Sequence, residues 1–341
     1  MILQRSAFAC LFSLAAALLL TMNPEVSSGA PTQPPPTLAN VHYGPDARQV
    51  LDFWKAPSSK PTPAAFYIHG GAWLGSDKSA VEFNINRYLA AGISVVSTNY
   101  RYIKQTILTD KSVPVPVITP QMVATQDPPV IIPLHDAARA LQFVRSKASE
   151  WNIDKARIGL SGGSAGGCTC LWLAFHKDLA DPASADPVAR ESTRPWCAAL
   201  AEPQTTLDPQ QMKEWTPNNI YGGHAFGFAW DPNNRHAEFA QFIAHRQLVL
   251  PWIEQYSPYS LLTANAPPVY LYYPHDAPAY GQNRVDPNHT ANFGAILMQK
   301  ANKLGLDFEF VYLGAPNVIH KTIDDYLIDK LKSPAPAKSP K

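Results

Sequence analysis

The stretch "GLSGGSAGG" sets Ser164 between Gly162 and Gly166 in a G-x-S-x-G spacing, after an apolar run and before a helix-compatible one. That order suits a serine on a sharp strand-to-helix turn: the hydroxyl projects from the turn, and the glycines remove side chains that would clash with it. A helix beginning at Ala165 would turn its positive end and a free amide toward a developing oxyanion. A phosphate-binding loop is the rival chemistry for such a turn, but no lysine follows the second glycine and no G-x-G-x-x-G spacing is present. A second glycine pair occurs in "YIHGGAW", where Gly70 and Gly71 follow a strand-like run. Backbone turning there would direct the Gly71 and Ala72 N–H groups to join that of Ala165 in an oxyanion hole. His69 reads as a structural residue of that loop. Far downstream, "GAPNVIHKTIDDY" offers His320 as a candidate base for acyl-transfer chemistry.

These residues need a scaffold, and the pattern around them supplies one. "AAFYIHGG", "GISVVSTNY", "ARIGLSG", "WCAALAEP", "PVYLYYP" and "FEFVYLG" read as strands. "LHDAARALQFVRSKASEW", "SAGGCTCLWLAFH", "NFGAILMQKANKLG" and "KTIDDYLIDKLK" read as helices. Apolar strands alternating with helices predict an α/β fold, a mostly parallel sheet covered on both faces in three α/β/α layers. Two segments interrupt the alternation. Residues 104–130 are proline-rich and predict a surface excursion without a helix. Residues 203–265, dense in glycine and aromatics, predict an inserted cap, with Trp215, Tyr221, Phe226, Phe228 and Trp230 either receiving an aryl or sugar group or forming the insertion's own core.

The chain has 341 residues, 46% hydrophobic and 16% charged, with a formal charge of +1. That composition sustains a full core, and the balanced charge gives no broad field to attract nucleic acid or anionic lipid. A small-molecule substrate fits it better. Arg5 precedes an apolar run from Ala7 to Met22, followed by Ser28 and Ala30 at cleavage-site spacing, so residues 1–30 read as a signal peptide and the mature protein as secreted or periplasmic. No later segment is apolar enough to span a membrane. Residues 31–40 read as a linker, 41–332 as the folded domain and 333–341 as a disordered tail. Beyond the leader, Cys168, Cys170 and Cys197 permit one disulfide but read as buried thiols, and their spacing lacks metal-ligand character.

Taken as a set, "FYIHGGAW", "VVSTNYRY", "HDAARALQFVR", "WNIDKARIGLSGGSAGG" and "APPVYLYYPHD" resemble the α/β-hydrolase superfamily. The resemblance is to the carboxylesterase branch related to hormone-sensitive lipase and to bacterial feruloyl and acetylxylan esterases (BD-FAE-like proteins), over most of Val41 to Lys332. It implies a Ser-His-Asp triad, a three-amide oxyanion hole and ester hydrolysis without a cofactor or metal. It maps Ser164 to the nucleophile, and Gly71, Ala72 and Ala165 to the hole. The acid would follow the seventh strand, where Asp286 precedes a proline and a helix and Asp276 ends the strand; Asp208 is a third candidate. The base would lie after the last strand, at His320. His275 and His289, which flank the possible acids, read as pocket-lining or hydrogen-bonding residues. Trp73 and His224 stand as substrate-contact candidates. A formamidase or peptidase on the same scaffold, or a silent ligand-binding homologue, would share these motifs.

Overall fold

The computed structural model describes residues 33–104, 118–228 and 235–334. The expected leader and all but the first residues of the expected tail lie outside the described residues. Eight strands form one sheet: β1 Leu38–His42, β2 Val50–Trp54, β3 Thr62–Ile68, β4 Ser94–Thr98, β5 Ile153–Gly163, β6 Cys197–Ala201, β7 Val269–Tyr273 and β8 Phe308–Tyr312. Their spatial order is β1-β2-β4-β3-β5-β6-β7-β8. The β1–β2 and β2–β4 pairs are antiparallel, and the others are parallel. The helices in chain order are α1 Ile85–Ala90, α2 Pro120–Thr125, α3 Ile131–Ser146, α4 Ala148–Trp151, α5 Ala165–Phe175 and α6 Pro209–Trp215. They continue with α7 Arg235–Ala244, α8 Arg246–Tyr256, α9 Pro258–Leu261, α10 Ala291–Lys303 and α11 Ile323–Lys332. This is the three-layer arrangement of an α/β-hydrolase fold.

Side-chain alternation along the central strands divides the core between the two faces of the sheet. In β3, Ala64, Phe66 and Ile68 join the larger core with residues of α3, α5 and α10, whereas Ala65 and Tyr67 join a smaller one with Tyr88 of α1 and Tyr326, Leu327 and Leu331 of α11. Both faces are buried, which is why the strands are apolar runs rather than alternating ones. All three described cysteines are free and buried within these cores.

Two boundaries differ from expectation, and a third region falls to one of its two expected readings. The segment read as a linker is tied to the fold from Gln33: its side-chain amide donates to Phe83 O and accepts from Ile85 N–H, Trp54 Nε1–H donates to Pro34 O, and β1 begins at Leu38. Prolines do not exclude a helix from residues 104–130, because Pro120 occupies the first turn of α2, where its missing N–H costs no hydrogen bond, and Thr119 caps that turn by accepting from Met122 N–H. Residues 105–117 lie outside the described ones. Between β6 and β7, the region expected as a cap holds α6 to α9 and a short 3-10 helix, Gly223–Phe226. Phe226, Phe228, Phe239 and Phe242 pack on one another there, so these aromatics build the insertion's own core.

Candidate active site

The turn from β5 into α5 follows from its glycines. A Cβ on Gly162 would lie 2.4 Å from Ile68 O, and one on Gly166 would lie 2.1 Å from the same oxygen. Only glycine lets the turn pack this closely against the end of β3. Ser164 between them takes φ 51° and ψ −123°, a costly conformation for a residue with a side chain. Two hydrogen bonds hold it there: Ser164 N–H donates to Ala201 O at 2.9 Å, and Cys168 N–H donates to Ser164 O at 2.8 Å.

The imidazole that meets this serine belongs to His289. Its Nε2 lies 2.9 Å from Ser164 Oγ, and its Nδ1 lies 2.7 Å from Asp286 Oδ2. An ionised carboxylate can only accept, so Nδ1 carries the proton and Nε2 is free to accept from the hydroxyl. Partial burial pushes the Asp286 carboxyl up. Hydrogen bonding and charge from His289, with the Asn288 and His289 backbone N–H groups, outweigh that and hold it below the usual carboxylate range. The carboxylate is therefore ionised at neutral pH.

His320, expected as the base, lies elsewhere. Its Nδ1 sits 2.9 Å from Glu309 of β8, its Nε2 sits 3.6 Å from Asp329 of α11, and the ring meets the Tyr326 ring edge to face. Residues Tyr326, Leu327 and Leu331 draw α11 onto the sheet, and the loop bearing His320 follows that helix rather than reaching the elbow. The alternative acid Asp276 is also engaged otherwise. It accepts from Ala291 N–H, Thr290 Oγ1–H and Arg284 Nε–H, joining the exit of β7 to the start of α10. Asp208 caps α6 and pairs with Arg246. His289, expected only to line the pocket or to hydrogen-bond, follows β7, whereas the base is expected after β8. The available signal was its separation from Asp286: three residues, before a capped helix.

The loop bearing Asp286 and His289 is fastened by the insertion between β6 and β7. Buried Asn219 donates to Pro287 O at 2.6 Å, and buried Gln204 donates to Asn288 O at 2.7 Å. Asn218 and Arg284 exchange two further bonds, at 2.8 and 3.0 Å.

Facing the elbow, Gly71, Ala72 and Trp73 all take positive φ, at 90°, 53° and 59°. A Cβ on neighbouring Gly70 would lie 2.8 Å from Gly163 O, so the loop runs directly beside Ser164. Ala165, as the first residue of α5, has an amide with no intrahelical acceptor. His69 is buried and stacked on Tyr100, and burial lowers its pKa to about 4. Trp73 is buried too, donating Nε1–H to Thr169 Oγ1 at 2.9 Å, and His224 is buried beside Trp73 and Tyr221. Both residues expected as substrate contacts are thus buried, and neither is among those lining the cavity over Ser164.

A cavity of about 330 Å³ opens over Ser164 and His289, with Gly70, Gly71, Glu82 and Glu202 in its wall. A neighbouring one of about 450 Å³ shares Glu202 and His289 and extends past Asp286. Burial raises the carboxyl pKa of Glu82, with the neighbouring Tyr67 hydroxyl opposing the rise. For Glu202, burial and the charges of Asp286 and Asp276 outweigh the opposing influence of His275 and His289, and its pKa is raised as well. Among the described residues, no group of three or more histidine, cysteine, aspartate or glutamate side chains is arranged to hold a metal ion, and no helix is long and apolar enough to cross a membrane.

Comparison with known proteins gives a consistent picture. A stretch of 133 residues is 29% identical to the probable carboxylic ester hydrolase LipM of Mycobacterium tuberculosis, covering 38% of this chain and 26% of that protein. Over 152 residues the identity to esterase LipQ of the same organism is 27%, covering 42% and 30%. The match thus spans less than a third of the length of either relative. Among solved structures, an acetyl ester-xyloside bifunctional hydrolase from Caldicellulosiruptor lactoaceticus superposes with a TM-score of 0.53 at 23% identity, covering 78% of this chain and 77% of that one. A truncated carbohydrate esterase from gut microbiota superposes with a TM-score of 0.58 at 17% identity, covering 87% and 96%. These likenesses support the fold. The BD-FAE family model matches residues 51–113 and 117–276, well over half of the sequence, and on that match the chain belongs to the BD-FAE family.

Proposed function

We propose that the protein is a serine esterase in which Ser164 is the nucleophile, His289 the general base and Asp286 the group that orients the imidazole. The observation carrying this reading is the continuous contact from Ser164 Oγ to His289 Nε2, 2.9 Å, and from His289 Nδ1 to Asp286 Oδ2, 2.7 Å. His289 takes the Ser164 proton as Oγ attacks the ester carbonyl. The N–H groups of Gly71, Ala72 and Ala165 receive the oxyanion; loss of one such donor costs about 3 kcal/mol of transition-state stabilisation. The imidazolium, held by Asp286, then protonates the departing alcohol. Water activated by the same histidine attacks the acyl-serine and releases the acid. The positive φ of Ser164, Gly71 and Ala72 means that the elbow and the hole loop are held in place before substrate arrives.

The substrate in this reading is a small or carbohydrate-linked carboxylic ester. The two structural neighbours are named as an acetyl ester-xyloside hydrolase and a carbohydrate esterase, which supports that class. Export through residues 1–30 would bring the enzyme to such esters outside the cytoplasm. An active-site-directed fluorophosphonate is expected to label Ser164, and short-chain aryl and acetylated sugar esters are expected to be turned over. Absence of both labelling and turnover would overturn the assignment.

A further inference from the structure

Two carboxylates flank the backbone of the nucleophile, and the proposed reaction uses neither. On one side the Glu82 carboxyl lies against Gly163, where an added Cβ would come within 2.9 Å of Oε2. On the other, Glu202 follows Ala201, whose carbonyl accepts from Ser164 N–H. Glu202 is held at φ 47°, in the left-handed region disfavoured for a side-chain-bearing residue, and its N–H donates to Tyr272 O. That conformation keeps Glu202 in the wall of both cavities beside His289. The rest of the wall over Ser164 is glycine, alanine, Tyr67 and Ser76, and no lysine or arginine lines it among the described residues. Among the described residues the arginines nearby are engaged: Arg284, in the wall of the adjoining cavity, pairs with Asp276 at 2.9 Å, and Arg48 stacks on Tyr102 while donating to the carbonyls of Tyr100 and Ser76.

We propose that Glu82 and Glu202 are specificity-determining residues that make the cavity over Ser164 a charge filter, admitting neutral esters and rejecting esters with a carboxylate close to the scissile bond. The inference rests on the serine esterase reading. An anionic substrate entering this cavity would be desolvated between two like charges without a lining cation to compensate, and such juxtaposition discriminates strongly between partners of similar shape. A neutral ester, particularly one with hydroxyl groups that can donate to either carboxylate, meets no such penalty.

The test compares 4-nitrophenyl butyrate with 4-nitrophenyl hemisuccinate, which have the same acyl chain length and differ by a terminal carboxylate, at pH 8. The ratio of their kcat/KM values should favour the butyrate by about a hundredfold or more in the unaltered enzyme. It should fall on the order of tenfold in E82Q and in E202Q, and be kept in the charge-preserving E82D. Equal turnover of the two esters by the unaltered enzyme, or a ratio unchanged in both glutamine variants, would overturn the filter. The serine assignment is judged separately by the butyrate alone: loss of that activity in S164A together with an unchanged ratio in E82Q and E202Q would sink the filter and leave the esterase standing.

Discussion

Asp286 and His289 sit three residues apart on one loop, so a single short segment delivers both the imidazole at Ser164 and the carboxylate that pairs with it. Replacing His289 by alanine should lower kcat on a neutral ester by at least about ten-thousandfold, and Asp286→Asn should act nearly as strongly by leaving the imidazole in the wrong tautomer. His320→Ala distinguishes the two histidines. It removes a partner of Glu309 away from the elbow, so stability should fall by about 1–3 kcal/mol in a denaturant titration with kcat retained. Loss of turnover in His320→Ala with a normal melting curve would contradict the assignment of His289. The resemblance to the α/β-hydrolases made Asp286 an acid candidate, alongside Asp276 and Asp208. The imidazole could not be assigned that way, because the order of residues does not state which loop folds over the serine.

At the scale of elements, the strand-to-helix elbow and the loop after β7 depend on packing from other parts of the chain. Gly166→Ala would drive a Cβ against the backbone carbonyls of Ile68 and His69, and should cost about 1–3 kcal/mol in thermal or chemical unfolding as well as activity. The amides of Asn219 and Gln204 catch the two carbonyls between Asp286 and His289. Asn219→Ala would leave the Pro287 carbonyl without its donor and loosen the imidazole, lowering kcat about tenfold or more while KM changes little. A KM effect without a kcat effect would show that Asn219 shapes binding instead. The elbow was legible because its glycines are local. The fastening of the loop was not, because Asn219 and Pro287 are far apart in the chain and meet only through the insertion.

For the whole molecule, burying carboxyl groups around Ser164 makes stability depend on pH. Burial raises the folded-state pKa of Glu82 above its unfolded value. Below the unfolded value the group is protonated in both states and contributes nothing to the pH dependence. Above the raised folded value the native protein carries a buried charge that the unfolded chain solvates better, and stability is lost. Glu82→Gln should therefore raise the melting temperature at pH 8 and lose that advantage near pH 4, as measured by thermal denaturation across that range. An equal change at both pH values would show that the substitution acts through packing. The fold shares the pattern of costs around its site: the positive φ at Ser164 and Glu202 is borne by a sheet whose central strands are buried on both faces.

The amino-acid sequence by itself determined the alternation of strands and helices, the glycine-framed turn at Ser164 and the paired glycines of the facing loop, because each is a local pattern of polarity or backbone freedom. Tertiary structure alone decided which histidine meets the serine, which carboxylate pairs with that histidine, and which of the candidate residues are buried. His289 and His320 follow successive strands, and both lie beside carboxylates. What separates them is that α11 packs back onto the sheet and carries His320 with it, while the insertion between β6 and β7 holds His289 against Ser164.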